Sequence, residues 1–207
     1  MHGMSGGAAC PLAQDDLPQV VRGILRLRPG IGRRVESALF WLRESEDLVL
    51  GHYRNNVLRV YSSHWNAFEC LVEATILARP ISSLSKQDKQ RQIDEFVTTR
   101  GGHLTAADIL KCFQEIVNPG FVGKASHALR ICFGDGADHY INECFRIADR
   151  KNRLYDIRNS INHGEVDALD PEELIRIESR LVQLKAILRR MFSHLVFYAV
   201  DANSGCA

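Results

Sequence analysis

No stretch of this 207-residue chain approaches 18 uninterrupted apolar residues, so a membrane-spanning helix is not expected. The first residues, MHGMSGGAAC, lack the basic segment and following apolar core of a secretory leader. Neither sign of charge is in excess. With 26 basic residues against 25 acidic ones there is no global positive field, and any nucleic-acid binding must come from a local patch. The 6 cysteines (Cys10, Cys70, Cys112, Cys132, Cys144, Cys206) form no CxxC pair and no zinc-finger spacing. Reduced structural thiols are the expectation, and no metal. His127 with Cys132, and His139 with Cys144, stand five residues apart, a poor helical separation for sharing an ion. G-x-S-x-G and G-x-x-x-x-G-K are both missing, which argues against nucleophilic hydrolases and nucleotide hydrolases. These absences point to a soluble cytoplasmic protein that needs no cofactor.

What is present is helical periodicity. At 45% hydrophobic the chain can bury a substantial core, read as one domain over residues 16–207 behind a Gly/Ala-rich N-terminus, residues 1–15, expected to be disordered. Apolar residues recur at three- and four-residue steps from Val35 to Leu50 and from Val57 to Leu77, giving two long amphipathic helices broken near Gly51. No strand alternation competes. The polar run ISSLSKQDKQRQ then leads into a short helix around Ile93 to Thr99, stopped by Gly101 and Gly102. Thr105 followed by Asp108 signals the start of a helix running to about Val117. Helices over Phe121 to Cys132 and Ala137 to Arg150 flank a GDG turn, and a further one ends at Gly164.

The last element carries the plainest start signal. Asp170 is the N-cap, Pro171 suits the first helical position, and Glu173 stands where it can reach back to the cap amide. Leu174, Ile177, Leu181, Leu184, Leu188, Met191, Leu195 and Tyr198 then alternate by threes and fours, a seam that must face helices of this bundle or of a partner. The fold class is all-α, a helical bundle with a long C-terminal helix.

Arginine and histidine recur five residues apart three times: Arg59 and His64, Arg158 and His163, Arg189 and His194. With 20 arginines and 8 histidines, chance alone supplies about one such match, so only context can select among them. The outer two lie inside long amphipathic patterns. In the middle one Asn159 follows the arginine and lies four residues before His163, about 40° away on one helix face, where its amide could orient the imidazole. Gly164 is placed as a C-terminal cap, which sets His163 beside a loop. The competing reading is a histidine that merely stabilises a last turn, with Arg158 as a solvated charge.

The stretch LYDIRNSINHG, Leu154 to Gly164, resembles the signature of HEPN domains, and is most similar to the Apea-like group. Arg158, Asn159 and His163 match that motif position for position. WNAFE, Trp65 to Glu69, is more loosely similar to the helix that packs on the motif helix in that group and carries an acidic residue; the competing reading is an ordinary amphipathic helix with Trp65 and Phe68 in the core. Residues 81 to 136 match nothing in it, and nothing resembles the larger multidomain proteins in which such domains often sit, so a standalone copy is expected.

The resemblance implies a HEPN-like bundle and a metal-independent endoribonuclease that leaves 2',3'-cyclic phosphate and 5'-hydroxyl ends. It further implies a homodimer through the motif helices, RNA as substrate, and an antitoxin or other regulatory protein as partner, in toxin or phage-defence settings. On that reading Arg158 clamps the phosphate, His163 is the general acid or base, Asn159 orients it, and Glu69 supports the site. Arg150, Lys151 and Arg153 would extend the RNA-binding surface, with RGILRLRPGIGRR (Arg22, Arg26, Arg28, Arg33, Arg34) as a second basic cluster. The alternative is a non-catalytic HEPN module that binds RNA, a nucleotide or a protein, with the C-terminal seam as its docking surface.

Overall fold

A helix that is apolar around most of its circumference has to be surrounded, and α3 (Val57–Ala78) is such a helix. Val60, Tyr61, Trp65, Phe68, Leu71 and Val72 are all buried, and so are Ser63, His64 and Thr75 between them. Burying side chains as large as Trp65 and Phe68 is worth about 1.5–3 kcal/mol each. The structure is a computed structural model that describes residues 17–50, 56–79, 86–99, 101–112 and 120–198. The expectations for residues 1–15, for a break at Gly51 and for a helix continuing to Val117 lie outside the described residues.

The described residues are all-helical. α1 (Leu17–Arg26) is followed by α2 (Pro29–Leu50), which runs antiparallel to α3. The pairing is tied at one end by the Arg28 guanidinium donating to the Leu77 and Ala78 carbonyls at 3.3 and 3.4 Å, and by the Arg34–Glu73 ion pair at 2.9 Å. The basic cluster RGILRLRPGIGRR is therefore split among two helices and the joint between them, and two of its arginines are engaged on α3. α2 begins six residues before the expected Val35, because Pro29 takes the first helical position, where its missing N–H costs nothing.

α4 (Lys86–Thr99) starts inside the stretch read as a polar linker, since lysine and glutamine are good helix formers even without an apolar stripe. Gly101 and Gly102, at φ 63° and 78°, end it as expected. α5 (Ala106–Cys112) opens on the anticipated box: the Asp108 amide donates to Thr105 Oγ1 at 3.2 Å and the Thr105 amide to Asp108 Oδ2 at 3.1 Å. No described side chain of α4 or α5 belongs to the core.

α6 (Phe121–Phe133), a GDG turn and α7 (Ala137–Ile141) follow. α7 continues as a π-helical turn, Asn142–Arg146, and stops there, four residues short of the expected Arg150, because Ile147 turns to φ −49°, ψ 137°. A 3₁₀ turn, Arg150–Asn152, capped by Asp149, leads into α8 (Leu154–Asn162). α9 (Pro171–Ser193) closes the bundle. Asp170 Oδ1 caps it by accepting from the Glu172 amide at 2.9 Å, with Pro171 first. Glu173 does not reach the cap amide, which already donates to the Asp167 carbonyl at 3.2 Å; it takes the Asp167 amide instead, at 3.1 Å.

Ile177, Leu181, Leu184, Leu188, Met191 and Leu195 of the seam are buried against the rest of this chain, chiefly α3. That packing removes the seam as a docking surface. Cys132 and Cys144 are buried free thiols, raised to about 11 and further still respectively, in each case first by desolvation. No helix of the described residues is long and apolar enough to cross a membrane.

Candidate functional site

Nine residues make a helix that is marginal alone, so α8 depends on what it packs against. Leu154 and Ile157 are buried on one face with Ile161 half-buried beside them. Tyr155 fixes the neighbouring flank: its ring lies 5.9 Å from Trp65, 6.2 Å from Phe121 and 5.8 Å from Phe145, centroid to centroid. From α3 the Tyr61 hydroxyl donates to the Leu154 carbonyl at 2.8 Å. These contacts present Arg158 to the outer edge of α3.

There Arg158 meets Glu69. Arg158 Nη2 donates to Glu69 Oε1 at 3.3 Å, and the same oxygen accepts the Trp65 indole N–H at 2.7 Å. Arg158 Nη1 donates to Asn159 Oδ1 at 3.1 Å. The side chains of Arg158 and Glu69 are 30% and 35% exposed, so this cation is partly sheltered yet reachable from solvent. Asn159 thus spends its amide oxygen on the arginine and not on the imidazole. The reason is proximity, since Arg158 Nη1 is the nearer donor when the guanidinium folds along the helix.

His163 stands apart. At about 100° per residue it is some 140° around the helix from Arg158, and its side chain is exposed without a hydrogen bond or ion pair among the described residues. The helix stops on it, φ −88° and ψ 0°, and Gly164 follows at φ 68°. The Gly164 amide donates to the Ile161 carbonyl at 3.2 Å and the Glu165 amide to the Ser160 carbonyl at 2.8 Å, a Schellman end that needs a glycine at the left-handed position. The cap expected at Gly164 is therefore present.

The other two arginine–histidine pairs are ordinary helix residues. His64 is buried in α3, its Nδ1 2.8 Å from the Val60 carbonyl, and burial holds the imidazole below its usual range. His194, beyond α9, is lowered by desolvation and then by Arg79 and Arg190.

Arg150, Lys151 and Arg153 lie at the opposite end of α8 from His163. Arg153 is partly buried, donating through Nε to the Ile147 carbonyl at 2.5 Å and facing Asp156 Oδ2 at 3.5 Å. Arg150 is exposed and lies 3.6 Å from the same carboxylate. The Lys151 carbonyl accepts from Arg176, while Lys151 itself is exposed. Arg153 is thus a structural residue of the turn, and only Arg150 and Lys151 of the three face solvent.

Sequence reading brought Arg158, Asn159 and Glu69 to one place but missed Trp65 as the donor that fixes Glu69. The signal was present: an indole four residues before a carboxylate on one helix can reach it. Among the described residues no three His, Cys, Asp or Glu side chains gather as a metal ion would require. The chain matches no family model, no curated protein and no solved structure.

Proposed function

We propose that the chain is a metal-independent endoribonuclease of HEPN type, acting as a homodimer whose two α8 helices meet. The observation that carries this reading is the state of Arg158: a half-sheltered guanidinium held by Glu69 and Asn159 on the helix whose end offers an unengaged His163. Cleavage without a metal needs a base for the 2'-hydroxyl proton, an acid for the departing 5'-oxygen and a cation for the charge that builds on phosphorus. One chain supplies one imidazole and one guanidinium, on different faces of α8. A second copy related by a twofold axis brings the partner's histidine to face this arginine and doubles both groups.

In this scheme His163 is the general acid or base and Arg158 clamps the scissile phosphate, the planar fork suiting two phosphate oxygens. Asn159 acts on the arginine, whose Nη1 it holds, and Arg150 and Lys151 extend the phosphate track. Uncontrolled RNA cleavage harms a cell, so a restraining antitoxin or a trigger such as infection belongs to the same reading. The deciding assay incubates wild type and His163→Ala with labelled single-stranded RNA in excess EDTA. Wild type cuts and leaves 2',3'-cyclic phosphate ends; equal cutting by His163→Ala overturns the assignment.

A further inference from the structure

We infer that Trp65 and Glu69 are positioning residues for Arg158, and that this carboxylate orients the cation and does not lock it away from a phosphate. The inference rests on the ribonuclease reading only for its kinetic consequence.

The contacts run from a buried ring to two partly exposed charged groups. Trp65 is fully buried and wedged between Phe68, Phe121 and Tyr155, with ring centroids 5.0, 6.0 and 5.9 Å away, so its indole N–H points in a fixed direction. That N–H meets Glu69 Oε1 at 2.7 Å, which fixes a carboxylate that would otherwise swing freely at 35% exposure. The fixed oxygen then takes Arg158 Nη2 at 3.3 Å while Asn159 takes Nη1 at 3.1 Å. Held at both ends, the guanidinium cannot rotate about its Cζ bonds without breaking a contact.

A guanidinium carries more donors than these two acceptors use. Among the described residues the Nε–H and a second N–H on each terminal nitrogen of Arg158 have no partner, and an Nε–Nη edge suits two oxygens of one phosphate. The arrangement therefore gives up some net positive charge to gain a fixed direction. A cation placed in advance needs no reorganisation as charge develops on phosphorus, and this favours the transition state more than the bound substrate.

That trade has a sign. Glu69 repels an incoming phosphate, so removing its charge should leave RNA binding equal or tighter. If it positions Arg158, the same change should slow the chemical step. A carboxylate that merely occupied Arg158 would give the opposite, a faster enzyme once removed.

The test uses Glu69→Leu, which alters a half-exposed side chain, alongside Trp65→Phe, which keeps a buried ring and deletes the donor. The first measurement needs no RNA: ¹⁵N NMR of the Arg158 side chain, where hindered rotation gives separate terminal-nitrogen signals in wild type. Both variants are expected to merge them, while the melting temperature of Glu69→Leu stays near wild type. Separate signals persisting in both variants overturn the positioning role whatever the protein does to RNA.

The second measurement is single-strand RNA cleavage by the full chain. Glu69→Leu is expected to lower kcat by about tenfold or more with KM unchanged or reduced. An unchanged or raised kcat overturns the inference and leaves the ribonuclease reading standing. Absence of cleavage by wild type removes that reading with its kinetic consequence, and the NMR result alone then decides the positioning role.

Discussion

The Tyr61 hydroxyl donates to the Leu154 carbonyl at 2.8 Å, joining the middle of the bundle to the first residue of the motif helix across 93 positions of sequence. Both side chains are buried, and desolvation, with a lesser push from Cys144, holds the phenol well above its ordinary range against the opposing pull of Arg180 and Arg176. Tyr61 therefore remains a donor across physiological pH. Tyr61→Phe keeps the ring and deletes the bond, at an expected cost of about 1 kcal/mol. Urea unfolding should show the midpoint falling with the slope unchanged. A variant as stable as wild type would mean that the bond contributes nothing to holding α8.

Gly23 offers a case where helix propensity predicts the wrong sign. Alanine for glycine inside a helix ordinarily gains about 1 kcal/mol. Here a Cβ at position 23 would sit 2.5 Å from Val196 Cγ1 and 2.7 Å from the Val196 carbonyl oxygen. The side chain can turn away, but the backbone oxygen cannot, so α1 must lift from the π-helical turn His194–Tyr198 that it covers. Gly23→Ala should destabilise by about 1–3 kcal/mol in thermal or urea melts. A gain in stability would show that α1 is not seated there.

Acid should weaken the fold through its histidines. His64, His127 and His194 are each lowered first by desolvation, then for His127 by Arg130 and for His194 by Arg79 and Arg190, while the Val60 carbonyl partly offsets the effect at His64. The unfolded chain therefore takes up protons before the folded one does. Stability is whole above the unfolded histidine value of about 6.5 and declines as pH falls from there towards the lowered folded values. Unfolding free energies measured between pH 8 and pH 5, roughly the range histidines titrate in, should slope downward on the acid side. His64→Gln should flatten that slope, and an unaltered slope would rule His64 out as a contributor.

How much of this was readable in the chain depended on whether the deciding contact was local. The start of α9 was legible because Asp170 and Pro171 act within one turn, and the ends at Gly164, Gly101 and Thr105 for the same reason. Glu173 was misplaced because Asp167, in the loop before the cap, offered its own carbonyl to the cap amide. The end of α7 at Arg146 was invisible, since a π turn leaves no apolar rhythm to break. At the site, Arg158, Asn159 and His163 were singled out through adjacency in sequence. Glu69, 89 residues from Arg158, was reached only through the resemblance of WNAFE, and its donor Trp65, one turn before it on α3, was overlooked. The seam from Ile177 to Leu195 showed its face but not its partner, because a heptad pattern reads the same whether the neighbour is α3 or another chain.

Gly164 connects stability to the proposed chemistry. Its φ of 68° lies where a Cβ crowds the following carbonyl, and nothing lies within 4 Å of a Cβ built there, so a substitution is strained by conformation alone. Gly164→Ala should cost about 1 kcal/mol, and Gly164→Asn less, since asparagine tolerates the left-handed region. The Gly164 and Glu165 amides, which close the helix on Ile161 and Ser160, should lose hydrogen-exchange protection first. Because the helix stops on His163, the same change loosens the imidazole while leaving the Arg158–Glu69 pair a turn away intact. Cleavage should therefore drop in Gly164→Ala without loss of RNA affinity, and recover part of its rate in Gly164→Asn. Equal rates in all three proteins would detach the helix end, and His163 with it, from the reaction.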